Sequence, residues 1–157
     1  EEYFMMKRFL VMRGLSGSGK STASKQKLEE AEKAGLHAII CSADDYFVRD
    51  GKYEFRGNKL NEAHRECFAK FVDALTEGYD LVILDNTNIK VEEFELYVKV
   101  ARLAGFSVSA LEKKPKDDAE LLSWHKRCVH DVPLDKVRSR WQQWEDMPKS
   151  MKVEVIQ

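Results

Sequence analysis

The stretch Arg13-Gly14-Leu15-Ser16-Gly17-Ser18-Gly19-Lys20-Ser21-Thr22 decides how the rest of the chain is read. It holds the pattern G-x-x-x-x-G-K-[ST] as Gly14, Gly19, Lys20 and Ser21, directly after the apolar run Phe9-Leu10-Val11-Met12. A buried strand, a glycine loop and a helix, in that order, are the context the pattern needs. Glycines at 14, 17 and 19 and serines at 16 and 18 let successive backbone N–H groups turn inward around phosphate oxygens. The following helix adds the positive end of its dipole. Residues Gly14 to Thr22, Leu15 and Thr22 included, therefore read as a cradle for the phosphates of ATP or GTP. Lys20 is expected to reach the β- and γ-phosphates and the Ser21 hydroxyl to bind Mg²⁺.

Outward from this loop the chain alternates. Ser21 to Ala34 is rich in Ala, Lys, Glu and Gln and stops at Gly35, which predicts a helix. His37 to Cys41 reads as a second strand, and Tyr46 to Asn58 as a long functional loop without helical period. From Lys59 to Glu77 apolar residues recur at three and four, the strongest helical pattern in the chain. Tyr79 to Asp85 is apolar enough for a central parallel strand. A helix from Ile89 to Ala104, capped by Asn88, and a strand from Phe106 to Leu111 follow. Asp117 to about Val129 and Leu134 to about Glu145 read as helices separated by Pro133, with residues 116–133 forming a lid. Met151 to Gln157 is expected to be a small extra strand or a loose end. The sum is an α/β fold with a parallel sheet of four or five strands, helices on both sides and a C-terminal helical lid.

Ligands on such sheets bind beyond the carboxyl ends of the strands. Gly14–Ser21, Ser42–Asp45 and Asp85–Asn88 all fall at such ends, so these polar clusters are expected to share one cleft. Asp85 is placed to hold the water shell of a Mg²⁺ already bound by Ser21. Asp44 follows the second strand, where a carboxylate can take the proton of an acceptor hydroxyl, although an Asx turn explains the same pair of aspartates equally well. Asp45 is expected to turn outward or to fix the loop. Arg127, with His125, Lys126 and His130 nearby, reads from composition alone as part of a solvated face.

With 157 residues, 43% apolar content and a net charge of −1, the chain is expected to be one domain able to bury its own core, without a global field that would draw it to a polyanion. The three cysteines, Cys41, Cys67 and Cys128, are not in a metal-ligand pattern and suit inert thiols in the cytoplasm, with the nucleus left open. No apolar run is long enough for a membrane span, and the first six residues read as an expression remnant.

Taken together, the motifs GLSGSGKS at 14–21, SADDYF at 42–47, LDNTN at 84–88 and Arg127 shortly before Val132-Pro133 resemble those of 5′-hydroxyl polynucleotide kinases of the bacteriophage type and their eukaryotic relatives, a branch of the P-loop kinases. Tyr53-Glu54-Phe55 followed by Leu60 and Ala63-His64 is similar to the eukaryotic-type members. The resemblance covers roughly residues 7 to 146. It implies ATP and Mg²⁺ as donor and metal, Lys20 and Ser21 as their ligands, Asp44 as general base, Arg127 as a lid arginine over the phosphates, and the 5′-hydroxyl end of RNA or DNA as acceptor. Tyr46, Arg49, Lys52, Arg56, Asn86, Thr87 and Asn88 would line the acceptor side.

One departure stands out. The phage-type arginine that holds the acceptor's 3′-phosphate is replaced by Phe47, so Arg49, Lys52 or Arg56 would have to substitute. The phage enzyme's phosphatase domain has no counterpart in the sequence, and no 3′-end repair is expected. Two alternatives follow: a P-loop kinase acting on a small-molecule or nucleoside hydroxyl, and a nucleotide-binding module without catalysis.

Overall fold

The computed structural model describes residues 6–127 and 132–155. At its centre is β1 (Arg8–Gly14), buried along its whole length after Arg8. β1 pairs in parallel with β5 (Leu81–Asp85) on one side and β6 (Ser107–Lys113) on the other. β2 (Ala38–Cys41) lies outside β5 and β7 (Lys152–Val155) outside β6, both parallel, giving the order β2-β5-β1-β6-β7. The fifth strand, open between two readings in the sequence, thus forms an edge.

Alternation along the strands divides the core between two faces. Leu10, Met12, Leu81 and Ile83 point to α1 (Lys20–Lys33) and meet Ala31 there. Phe9, Val11, Val82 and Leu84 join Phe71 of α2 (Leu60–Thr76) and Tyr97, Val98 and Ala101 of α3 (Glu95–Leu103) on the other face. Each central strand is sandwiched, which is why Leu81 to Leu84 carries no alternating polar residue. A third, smaller cluster joins Leu15, Ile89, Leu121 of α4 (Asp118–His125) and Val137 of α5 (Leu134–Gln142), with Trp141 and Trp144 packed against it.

Several expectations are corrected. The segment after β2 is structured: a 3-10 turn over Ala43–Phe47 leads into a short antiparallel hairpin, β3 (Val48–Arg49) and β4 (Lys52–Tyr53), and then a 3-10 turn over Gly57–Lys59. Asp50 and Gly51 both have positive φ, 51° and 76°, the combination a tight two-residue hairpin turn requires. The expected helix from Ile89 divides into a 3-10 turn over Val91–Glu93 and α3, because Phe94, with φ of −134° and ψ of −6°, leaves helical geometry between them. Asn88 does not cap this segment; it has a φ of 50°, and Lys90 occupies the cap position. α4 ends at His125 and α5 at Gln142, both short of their expected bounds. Val129, Cys128 and His130 lie outside the described residues.

Candidate active site

The glycine loop is held open by backbone geometry that only glycine adopts without strain. Gly17 and Gly19 have φ of 83° and 88°. At Gly14 the constraint is space: a Cβ there would lie 2.7 Å from Ser18 Oγ and 3.3 Å from the Lys113 carbonyl oxygen. Gly19 is the N-cap of α1 and supplies no side-chain acceptor to the first turn, so this helix end is left for an external anion. Ser16 is half-buried and Ser18 buried, with Ser18 Oγ accepting from the Lys20 N–H at 3.3 Å. Leu15 contributes backbone alone, since its side chain is in the third core cluster. Ser21 and Thr22 open to solvent at the start of α1.

Across the loop, Lys20 Nζ pairs with Asp85 Oδ1, and both side chains are largely shielded, at 11% and 8% exposure. The sequence places a lysine at the start of α1 and a carboxylate at the end of β5; the β1–β5 register, Met12 opposite Asp85, brings them together. Ser21 and Asp85 are hard oxygen donors beside an anion cradle. Among the described residues no group of three or more His, Cys, Asp or Glu forms a closed metal cage. That donor set fits Mg²⁺, which takes one or two protein oxygens and completes its shell with phosphate and water.

The second and third clusters meet through one hydrogen bond. Asn86 Oδ1 accepts from the Ala43 N–H at 2.9 Å, joining the residue after Asp85 to the residue before Asp44. Ser42 Oγ accepts from the Asp44 N–H at 3.2 Å and caps the 3-10 turn. The Asp44 carboxylate is exposed, and the Tyr53 hydroxyl from the hairpin donates to its Oδ1 at 3.3 Å. Burial, reinforced by the neighbouring Asp44 charge, pushes the Tyr53 phenol up to about 12. Asp45 turns to α2, where Lys70 lies 3.5 Å away. The aspartates therefore have separate surroundings.

The other predicted acceptor-side residues are dispersed. Tyr46 donates to Glu62 Oε2 at 2.6 Å, which raises its phenol, and the Arg56 guanidinium lies 6.0 Å from its ring centroid. Arg49 and Lys52 are exposed on β3 and β4. Phe47 is fully buried among Tyr46, Tyr53 and Phe55, so the position of the phage-type arginine belongs to the core here. Thr87 is tied down, its carbonyl accepting from the Gly14 N–H at 3.1 Å and its Oγ1 from Arg140 at 3.3 Å. Asn88 is a correction: it is buried, and its amide Nδ2 donates to the Met12 carbonyl at 2.7 Å, so it braces β1 and is not part of the exposed acceptor-side surface. Arg127 follows the end of α4, exposed, its N–H bonded to the Trp124 carbonyl at 3.0 Å.

Sequence reasoning missed Arg13. Its guanidinium is fully buried beside the loop, donating to the Asn88, Ile89 and Glu145 carbonyls and to Glu112. A charged residue between an apolar strand and a glycine loop was the available signal. Nor did it single out Lys113, whose ammonium reaches the Gly19 backbone.

A family model described as an AAA domain matches residues 9–150. Human NEDD4-binding protein 2 is 32% identical over 134 residues, covering 82% of this chain; the chain spans only 7% of that relative's length. Among solved structures, the Pnkp1/Rnl/Hen1 RNA repair complex contains a chain similar over 91% of this one and 45% of its own length, with a TM-score of 0.68 at 16% identity. A sugar kinase from Janibacter sp. HTCC2649 is similar over 96% and 84% of the two chains, with a TM-score of 0.64 at 20% identity. At these identities the structural likeness speaks to the fold, which is that of P-loop kinases. With nearly its whole length matched by one family model and its glycine loop built as a phosphate cradle, the chain belongs to the AAA-domain family, as a P-loop kinase-like member.

Proposed function

We propose that this domain transfers the γ-phosphate of ATP to the 5′-hydroxyl end of RNA or DNA. The observation that carries the reading is the Asn86–Ala43 hydrogen bond. It ties an exposed carboxylate, Asp44, to the strand end whose Asp85 faces Lys20. In the proposed reaction Asp44 accepts the proton of the attacking hydroxyl while its oxygen bonds to phosphorus and the bond to the departing nucleoside diphosphate breaks. Lys20 and Arg127 offset the charge on the transferring group. Ser21 and Asp85 hold the divalent cation that accompanies the phosphates. The cationic hairpin side chains Arg49 and Lys52, with Arg56, suit a nucleic-acid backbone, and the RNA repair chain among the structural neighbours agrees with this acceptor.

A second reading keeps the chemistry and changes the acceptor to a small-molecule hydroxyl. It is favoured by the burial of Phe47, which removes the acceptor-phosphate arginine, and by the sugar kinase neighbour. Labelled ATP offered with 5′-hydroxyl oligonucleotides and, in parallel, with nucleosides and sugars separates the two. Transfer to the oligonucleotide, abolished by prior 5′-phosphorylation, supports the first reading. Turnover on the small molecules with none on the oligonucleotide rejects it.

A further inference from the structure

The phosphate loop has a second cation beside it. Lys113 ends β6, opposite Gly14 in the register, and a Cβ placed on Gly19 would lie 2.7 Å from its ammonium. Its side chain therefore crosses from β6 onto the loop. Lys113 is half-buried, and the Trp124 ring, 6.0 Å from Nζ at its centroid, stands along it. Lys20 is paired with Asp85, whereas Lys113 faces the Trp124 ring.

Position distinguishes the two lysines. β5 and β6 flank β1 on opposite sides, so Lys20 leans toward Asp85 and the Asp44 cluster, and Lys113 approaches Gly19 from the other side. A cation there stands on the side of the loop away from the Asp44 cluster. We infer that Lys113 is a nucleotide-affinity residue, recognising the non-transferred phosphates of a nucleoside di- or triphosphate and taking no part in the transfer itself. The inference rests on the nucleotide-donor half of the proposed function and not on the identity of the acceptor.

Binding of ATP, ADP and AMP to the purified domain, measured by calorimetry in Mg²⁺ buffer for wild type, Lys113→Met and Lys113→Arg, tests it. Loss of one charge-assisted contact predicts about tenfold weaker binding of both ATP and ADP to Lys113→Met, with Lys113→Arg recovering most of it. Where turnover is measurable, KM for the nucleotide rises by a similar factor and kcat stays within about threefold of wild type. Wild-type affinity in Lys113→Met, or a fall in kcat at unchanged affinity, overturns the assignment. If wild type binds ATP with this Lys113 dependence yet phosphorylates no polynucleotide, the acceptor proposal fails and the role of Lys113 stands. Absence of nucleotide binding by wild type overturns both.

Discussion

The Arg13 guanidinium lies 4.5 Å from the centroid of the Trp144 ring, and the Phe94 ring centroid is 5.1 Å away. All three of its nitrogens donate. Nε donates to the Asn88 carbonyl at 2.7 Å, Nη1 to Glu112 Oε1 at 2.5 Å, and Nη2 to the carbonyls of Ile89 at 2.8 Å and Glu145 at 2.6 Å. One side chain thereby ties the strand feeding the phosphate loop to β6, to the segment after β5 and to the residues following α5. Burial lowers the Arg13 pKa from its ordinary value, opposed chiefly by Glu112.

An ammonium cannot reproduce this planar fork. Arg13→Lys is therefore expected to lose about 2 to 3 kcal/mol of unfolding free energy, because it leaves buried carbonyls without donors while keeping a charge. Urea denaturation checks this through the midpoint, at an unchanged slope. A loss below about 0.5 kcal/mol, typical of surface substitutions, would show that the hub is not stabilising.

The contrast between Arg13 and Lys20 shows what the sequence made legible. The place of Lys20 was readable because it is set locally, by loop glycines and a helix start within ten residues. The place of Asp85 was readable because an apolar strand had to end in a polar residue. Arg13 was not, since its acceptors come from residues 75 to 132 positions away, and no local pattern separates such an arginine from one pointing to water. Asn88 failed for a related reason: cap-forming chemistry was recognised, but a positive φ and the proximity of β1 claimed the side chain instead. The hairpin of β3 and β4 was hidden in a segment without helical period, where two-residue strands leave almost no alternation to detect.

Alkaline pH is expected to destabilise the fold. Burial first, and the neighbouring Cys67 second, push the Cys41 thiol from its ordinary 9.0 up to about 12, and burial likewise raises Cys67 and Tyr97. These groups stay neutral in the folded chain while the unfolded chain gives up its protons at ordinary pKa values. The stabilisation is complete below about pH 9 and is lost as pH rises toward about 12, since the unfolded state then binds fewer protons. Each such group steepens the loss by about 1.4 kcal/mol per pH unit inside its window. Denaturation midpoints between about pH 8 and about pH 10.5 check the slope, and Cys41→Ala should flatten it by about one proton. A pH-independent midpoint would contradict the burial of these thiols.

Asp85→Asn removes both a candidate metal ligand and the counter-charge of Lys20. The two losses have opposite signatures. Weaker metal binding is expected to raise the Mg²⁺ concentration needed for half-maximal activity about tenfold or more. Freeing Lys20 from its partner leaves nucleotide binding without Mg²⁺ unchanged or tighter. Titrating Mg²⁺ at fixed ATP, together with metal-free nucleotide binding, reads both. An unaltered Mg²⁺ requirement would exclude Asp85 from the cation site.

Asp44 and Tyr53 give the sharpest test of the proposed chemistry. If Asp44 is the base, Asp44→Asn loses at least about a hundredfold in kcat while ATP affinity is retained, because the amide cannot take the hydroxyl proton and lies off the phosphate loop. Tyr53→Phe removes the hydroxyl that donates to Asp44 Oδ1 at 3.3 Å. Losing this hydrogen bond frees the carboxylate to rotate away from the attacking hydroxyl, so kcat should fall a few-fold at unchanged ATP affinity. The same loss must vanish in the Asp44→Asn background, where no base is left to orient. If Asp44→Asn turns over normally, or if Tyr53→Phe lowers kcat as much in the Asp44→Asn background as alone, then another group takes the proton and Asp44 only shapes the turn that Ser42 caps.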